Sequence, residues 1–221
     1  MQTMGACMRL ASTDPRDAVI LCPSRPAVLS MIRLIPSAHD PCTSHCEEDS
    51  VRAIRAFDNT ILHWVSLGRG QGVYELRAGD EVVGTLRRVK LPGSLCVLDT
   101  ADGTWTCKRS SHLEAAVTVR VAGEETNYAV FTHHWPTTGT LDLGNGRKFR
   151  WHAAHRRQRF WKWTDAGNRW VVRLTQEGES PAPVARVDLA PGAGDLPDIS
   201  LLITLGWYVA LLELESATVS L

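Results

Sequence analysis

Nine basic side chains fall between residues 147 and 173: Arg147, Lys148, Arg150, Arg156, Arg157, Arg159, Lys162, Arg169 and Arg173. Within that segment only Asp165 opposes them. Guanidinium and ammonium groups at this density suit the holding of oxyanions, either the phosphates of a lipid headgroup or a nucleic acid backbone. Strand alternation sorts them between two faces. If Phe149, Trp151, Trp161, Trp163, Trp170, Val172 and Leu174 point inward, then Lys148, Arg150, His152, Lys162, Arg169 and Arg173 line one outer face. Arg156 and Arg157 top it from a loop. The plainer reading of the same stripe is a solvated wall whose charges keep the surface soluble.

Other candidate chemistry is weaker. His39, Cys42, His45 and Cys46 bring metal-ligand types together, but structural zinc needs two knuckles apart in sequence, and Cys7 and Cys22 have no zinc-like spacing. No metal or other cofactor is expected. His133, His134, His152 and His155 lie at predicted strand ends, where a hydrolase or transferase would have to assemble its acid and base. Glu47-Glu48-Asp49 is the nearest acidic cluster for calcium and lies outside the regular part of the chain. The glycines of 68–72 resemble a phosphate loop, yet a strand follows them in place of a helix, so a hairpin loop is the better account. Cys96 and Cys107 have alternating apolar neighbours and read as buried small hydrophobes. Without a Gly-x-Ser-x-Gly elbow or a paired carboxylate, a binding protein is favoured over an enzyme.

These groups depend on elements that are unusually regular after residue 60. Runs of β type at 61–66, 73–77, 81–89, 94–100, 104–108, 115–121, 128–133, 139–143, 148–152, 158–164, 170–175 and 184–189 alternate with turn signals. Gly79-Asp80, Asp102-Gly103, Asn145-Gly146 and Gly167-Asn168 are pairs that tolerate the positive φ of tight hairpins. About a dozen strands cannot remain one open sheet, and closure removes exposed edges. The eight tryptophans fit such a β-rich core. The segment 196–214 then breaks the pattern: it carries no charge between Asp198 and Glu213 and is apolar all round, as a helix buried on every side must be. Asp195 and Asp198 suit its N-terminus. Its uncharged stretch falls short of the roughly 20 residues that span a bilayer, so no transmembrane segment is expected.

Several short sequences add a resemblance. Tyr74-Glu75-Leu76-Arg77, the run 101–109 (ADGTWTCKR), the run 146–151 (GRKFRW) and Leu205-Gly206-Trp207-Tyr208 together resemble the tubby C-terminal-like superfamily, in particular bacterial LURP-one-related and phospholipid-scramblase-like proteins. The resemblance covers residues 62–213. It implies a twelve-stranded barrel around a central helix. It also implies binding of anionic lipid through basic barrel residues, although no residue matches one to one for that role, and calcium dependence, known in scramblases, finds no carboxylate cluster here.

Residues 1–58 have no counterpart in that family. They are rich in proline, serine and cysteine without lasting periodicity, and read as a poorly ordered extension or an over-long start of the reading frame. Apolar pieces before residue 35 are broken by Asp14, Pro15, Arg16, Asp17, Pro23 and Pro26, so no secretory signal forms. The formal net charge is zero, which gives no global steering toward nucleic acid. The expected protein is all-β with one helix: a closed antiparallel barrel over 59–221 around an apolar core helix at about 196–214. It is expected to be cytoplasmic and peripheral at the membrane, with anionic phospholipid as partner through Lys148, Arg150, Arg156, Arg157, Lys162, Arg169 and Arg173. A protein partner for a scaffold module is the alternative, and nucleic acid is disfavoured.

Overall fold

Period-two alternation between large apolar and polar side chains builds twelve strands that hydrogen-bond into one sheet closed on itself. The computed structural model describes residues 53–57, 60–68, 72–89, 95–110, 116–134, 137–154, 159–177 and 184–218. The strands are β1 (Leu62–Ser66), β2 (Val73–Ala78), β3 (Glu81–Arg88), β4 (Leu95–Thr100), β5 (Gly103–Arg109) and β6 (Ala116–Val121). They continue as β7 (Ala129–His134), β8 (Thr138–Leu143), β9 (Lys148–Ala153), β10 (Phe160–Thr164), β11 (Trp170–Glu177) and β12 (Val184–Leu189). Each pairs antiparallel with its sequence neighbours, and β12 closes the ring on β1 through Leu62↔Val187 and Trp64↔Ala185. Full closure leaves no edge strand to aggregate. All four expected turn pairs contain a positive-φ residue: Gly79, Gly103, Gly146 and Asn168.

The helix α1 (Ile199–Thr218) fills the barrel. Every side chain from Ile199 to Leu211 is buried, and the helix packs against β3, β4, β10 and β11. By length and composition α1 is apolar enough to cross a membrane, but 72% of that span is buried inside the protein. Each large side chain so enclosed contributes about 1.5–3 kcal/mol. Trp64, Trp151 and Trp163 of the barrel and Trp207 of the helix are fully buried, with Trp64 stacked on Trp207 at 6.3 Å between centroids. Gly206 permits the closest approach, since Trp163 Nε1 donates to the Leu202 carbonyl of the helix at 2.8 Å.

Three boundaries differ from the sequence expectation. The helix begins at Ile199, because Ala193–Asp195 forms a separate 3-10 turn and leaves Asp195 outside it. It continues past Leu214 because Glu213 and Glu215 find partners on the barrel rim. The barrel unit also starts before residue 59. Ile54, in a 3-10 turn at Ile54–Ala56, is 1% exposed and Phe57 is 8% exposed, and that turn packs against α1 and the 193–195 turn. Residues 1–52 lie outside the described part of the chain, including His39, Cys42, His45, Cys46, Cys7, Cys22 and the 47–49 acids.

Candidate functional site

The outer wall of β9, β10 and β11 carries the basic stripe. Phe149, Trp151, Trp161, Trp163 and Leu174 are buried, while Lys148, Arg150, Arg169 and Arg173 are exposed and Lys162 is half-buried. Cross-strand register sets Lys162 opposite Arg173 on one side and His152 on the other, with Arg150 one pair further along opposite Thr164. Arg156, Arg157 and His155 lie outside the described residues.

Trp170 departs from the expected pattern. A bulge between Trp163 and Thr164 sets Trp163 opposite Val172 and Thr164 opposite Trp170. Because one extra residue reverses facing, Val171 and Val172 are both buried and Trp170 is 39% exposed. Its ring lies 5.6 Å from the Arg173 guanidinium, a cation–π contact on the outside of the barrel.

Carboxylates from the flanking strands neutralise much of the stripe. Lys148 pairs with Asp142 of β8 at 2.6 Å, and Arg173 pairs with Asp188 of β12 at 3.2 Å. Arg186 shares Asp188 at 3.2 Å. Arg169 pairs with Asp165 at 2.8 Å across the β10–β11 turn, and bonds from the Arg169 backbone and side chain hold the Asp165 carboxyl below its ordinary range. Segmental charge counting cannot see Asp142 and Asp188, which lie outside residues 147–173. Among the described residues no carboxylate pairs with Arg150 or Lys162. Between them sits His152, whose Nε2 is 3.2 Å from the Thr164 hydroxyl. Burial, then Lys162, then Arg150 hold the His152 imidazole below its ordinary pKa. Among the described residues of the stripe, the part without a carboxylate partner is therefore Arg150, His152 and Lys162.

Among the described residues, the histidines of the enzymatic alternative (His133, His134 and His152) do not converge. His134 and His152 face outward, each opposite Thr138 in the register. His133 faces the core side, beside the Phe131 ring at 6.2 Å, with Nε2 3.1 Å from Glu213 Oε1. Among the described residues no group of histidine, cysteine and carboxylate side chains could hold a metal ion. Cys96 and Cys107 are opposite one another on β4 and β5, buried and free. Burial pushes the Cys96 thiol up to about 12 and raises Cys107 well above its ordinary value, which leaves neither nucleophilic.

Two polar clusters at the ends of α1 escaped the sequence reading. At the N-terminal end, buried Asp198 accepts from the Tyr128 hydroxyl at 2.8 Å and pairs with Arg147 at 2.5 Å, and Ser200 donates to Asp102. At the C-terminal end, Trp151 Nε1 donates to Glu213 Oε1 and Trp161 Nε1 to Glu213 Oε2, each at 2.8 Å. Arg88 of β3 forms a forked ion pair with Glu215. These donors offset the unfavourable placing of two acids at a helix C-terminus. The available signal was phase: Arg88 follows Gly84 and Leu86 on the inward side of β3. Neither a family model, a curated protein nor a solved structure matches this chain.

Proposed function

We propose that this chain is a non-enzymatic binding protein of the tubby C-terminal-like superfamily that docks on anionic lipid through its β9–β10 wall. The observation that carries the reading is the pair of cations, Arg150 and Lys162, on either side of a depressed His152 with no carboxylate between them. Among the described residues, pairing of Lys148, Arg169 and Arg173 narrows the site to these two charges. At about 1 kcal/mol per cation near an anionic surface, they contribute about 2 kcal/mol, roughly a 30-fold preference over a neutral bilayer.

Flotation with phosphatidylcholine vesicles, with and without phosphatidylserine, tests it. The full-length protein is expected to bind only the anionic vesicles, less so at higher salt, and Arg150→Gln with Lys162→Gln should remove the difference. Bound anion should also raise the His152 pKa, which NMR titration of its ring reads directly. Equal binding to both vesicles, or a double variant indistinguishable from wild type, would reduce the stripe to a solvated wall. A protein partner is the second reading, supported by Trp170, exposed beside Arg173 and Arg169 in the combination that anchors many interfaces. Trp170→Ala would then weaken partner capture while leaving vesicle binding intact.

A further inference from the structure

Arg88 is an exception in the barrel interior. Its inward neighbours in register are Leu86, Cys96 and Leu98, all buried, and its own side chain is 3% exposed. A guanidinium in such a place loses its hydration and needs a well-aligned acceptor in return. That acceptor is Glu215: Arg88 Nη1 and Nη2 donate to its two carboxylate oxygens, the second at 2.8 Å, in the end-on fork that matches a carboxylate. The two partners are unequally placed. Arg88 is buried at the rim of the barrel, at the end of β3, near the buried phenols of Tyr74 and Tyr208. Glu215 is 48% exposed at the end of α1, where the helix dipole disfavours a negative charge. In addition, Arg88 Nε is buried without a hydrogen-bond partner, so the guanidinium has donor capacity that Glu215 does not use.

A buried receptor at the rim with an exposed occupant is the arrangement of an exchangeable site. We propose that Arg88 is a carboxylate-binding site at the end of the barrel where α1 finishes, filled in this state by Glu215 of the same chain, and that a small external carboxylate exchanges with Glu215. This site is separate from the outer wall, since Arg88 faces inward and Arg150 and Lys162 face outward, so either reading can fail alone.

The test uses the full-length protein as wild type, Glu215→Gln, and Glu215→Gln combined with Arg88→Met. Sodium acetate is titrated against sodium chloride at matched ionic strength, with inorganic phosphate as a second arm, and the melting temperature is followed. Glu215→Gln should melt lower than wild type and recover saturably with acetate. The wild type should need about tenfold more acetate, because Glu215 competes for the site. The double variant should not respond. An acetate response in Glu215→Gln no larger than in the double variant overturns the proposal. A response to phosphate alone overturns the carboxylate assignment. Should Glu215→Gln fail to fold, the wild type carries the test: its Arg88 Nε resonance must shift saturably with acetate and not with chloride. A resonance that stays in place refutes the exchange.

Discussion

Replacing Gly206 with alanine sets intrinsic helix propensity against barrel packing. In an isolated helix alanine is better than glycine by about 1 kcal/mol. In this barrel the added Cβ would lie 2.8 Å from Trp163 Nε1, 3.0 Å from Leu174 Cδ1 and 3.4 Å from Trp151 Cζ3. The first of those atoms is the donor of the 2.8 Å bond to the Leu202 carbonyl, so the indole cannot retreat without losing it. Trp163 is also held by the Trp151 ring at 4.7 Å and the Phe131 ring at 5.7 Å. Overpacking costs about 1–3 kcal/mol, and a buried donor left without its acceptor costs about 1–3 kcal/mol more. Set against the propensity gain, the net loss is about 3 kcal/mol. For a chain of this size that lowers the melting temperature by about 6–12 °C. Differential scanning calorimetry measures the shift, and near-UV circular dichroism reports whether the tryptophan cluster has moved. A Gly206→Ala protein that melts at or above the wild-type temperature would mean that propensity outweighs the contact, and that Trp163 is not seated on the helix backbone.

Leu202→Asp places an unpaired charge at a fully buried position of α1 and should abolish cooperative folding, as read by a thermal melt; a near-normal transition would refute the core-helix arrangement. Ile54→Ala should cost about 2–5 kcal/mol in urea denaturation, because the side chain is almost wholly buried although it precedes the first strand; a change within error would show that residues before the barrel do not help to stabilise it. His152 has a folded pKa below its unfolded value, so the unfolded chain binds more protons as pH falls through about 6.5, and stability present above that pH is lost down to the folded pKa. Wild type should therefore lose more stability than His152→Asn between about pH 7 and pH 5, and equal slopes would mean that burial, Lys162 and Arg150 do not depress this imidazole.

Local pattern, alternation for the strands and an uncharged apolar run for the helix, was enough to locate all twelve strands and the buried helix. Alternating burial is a property of short segments, a long uncharged apolar run marks a helix buried all round, and the glycine and asparagine turns punctuate them independently. Closure follows from strand number and the cost of open edges. The Lys148–Asp142 pair was legible in principle too, since the tight turn at Asn145-Gly146 fixes the register that sets those residues opposite each other.

Facing at a bulge, and partnership where no tight turn fixes the register, were not legible. Trp170 keeps the alternation of its own strand on paper, and only the bulge opposite Thr164 turns it outward. Asp188 meets Arg173 across the β11–β12 pairing, and together with the Lys148–Asp142 and Arg169–Asp165 pairs it takes the described stripe down from five cations to two. The ends of α1 show the limit most clearly. Glu213 meets Trp161 across 52 residues of chain, and Glu215 meets Arg88 across 127. No periodic pattern links residues so far apart, so these acids read as the polar end of an apolar helix. Only closure of the barrel around that helix brings the indoles, His133 and the buried guanidinium to them, because the same rim that ends the strands surrounds the helix C-terminus.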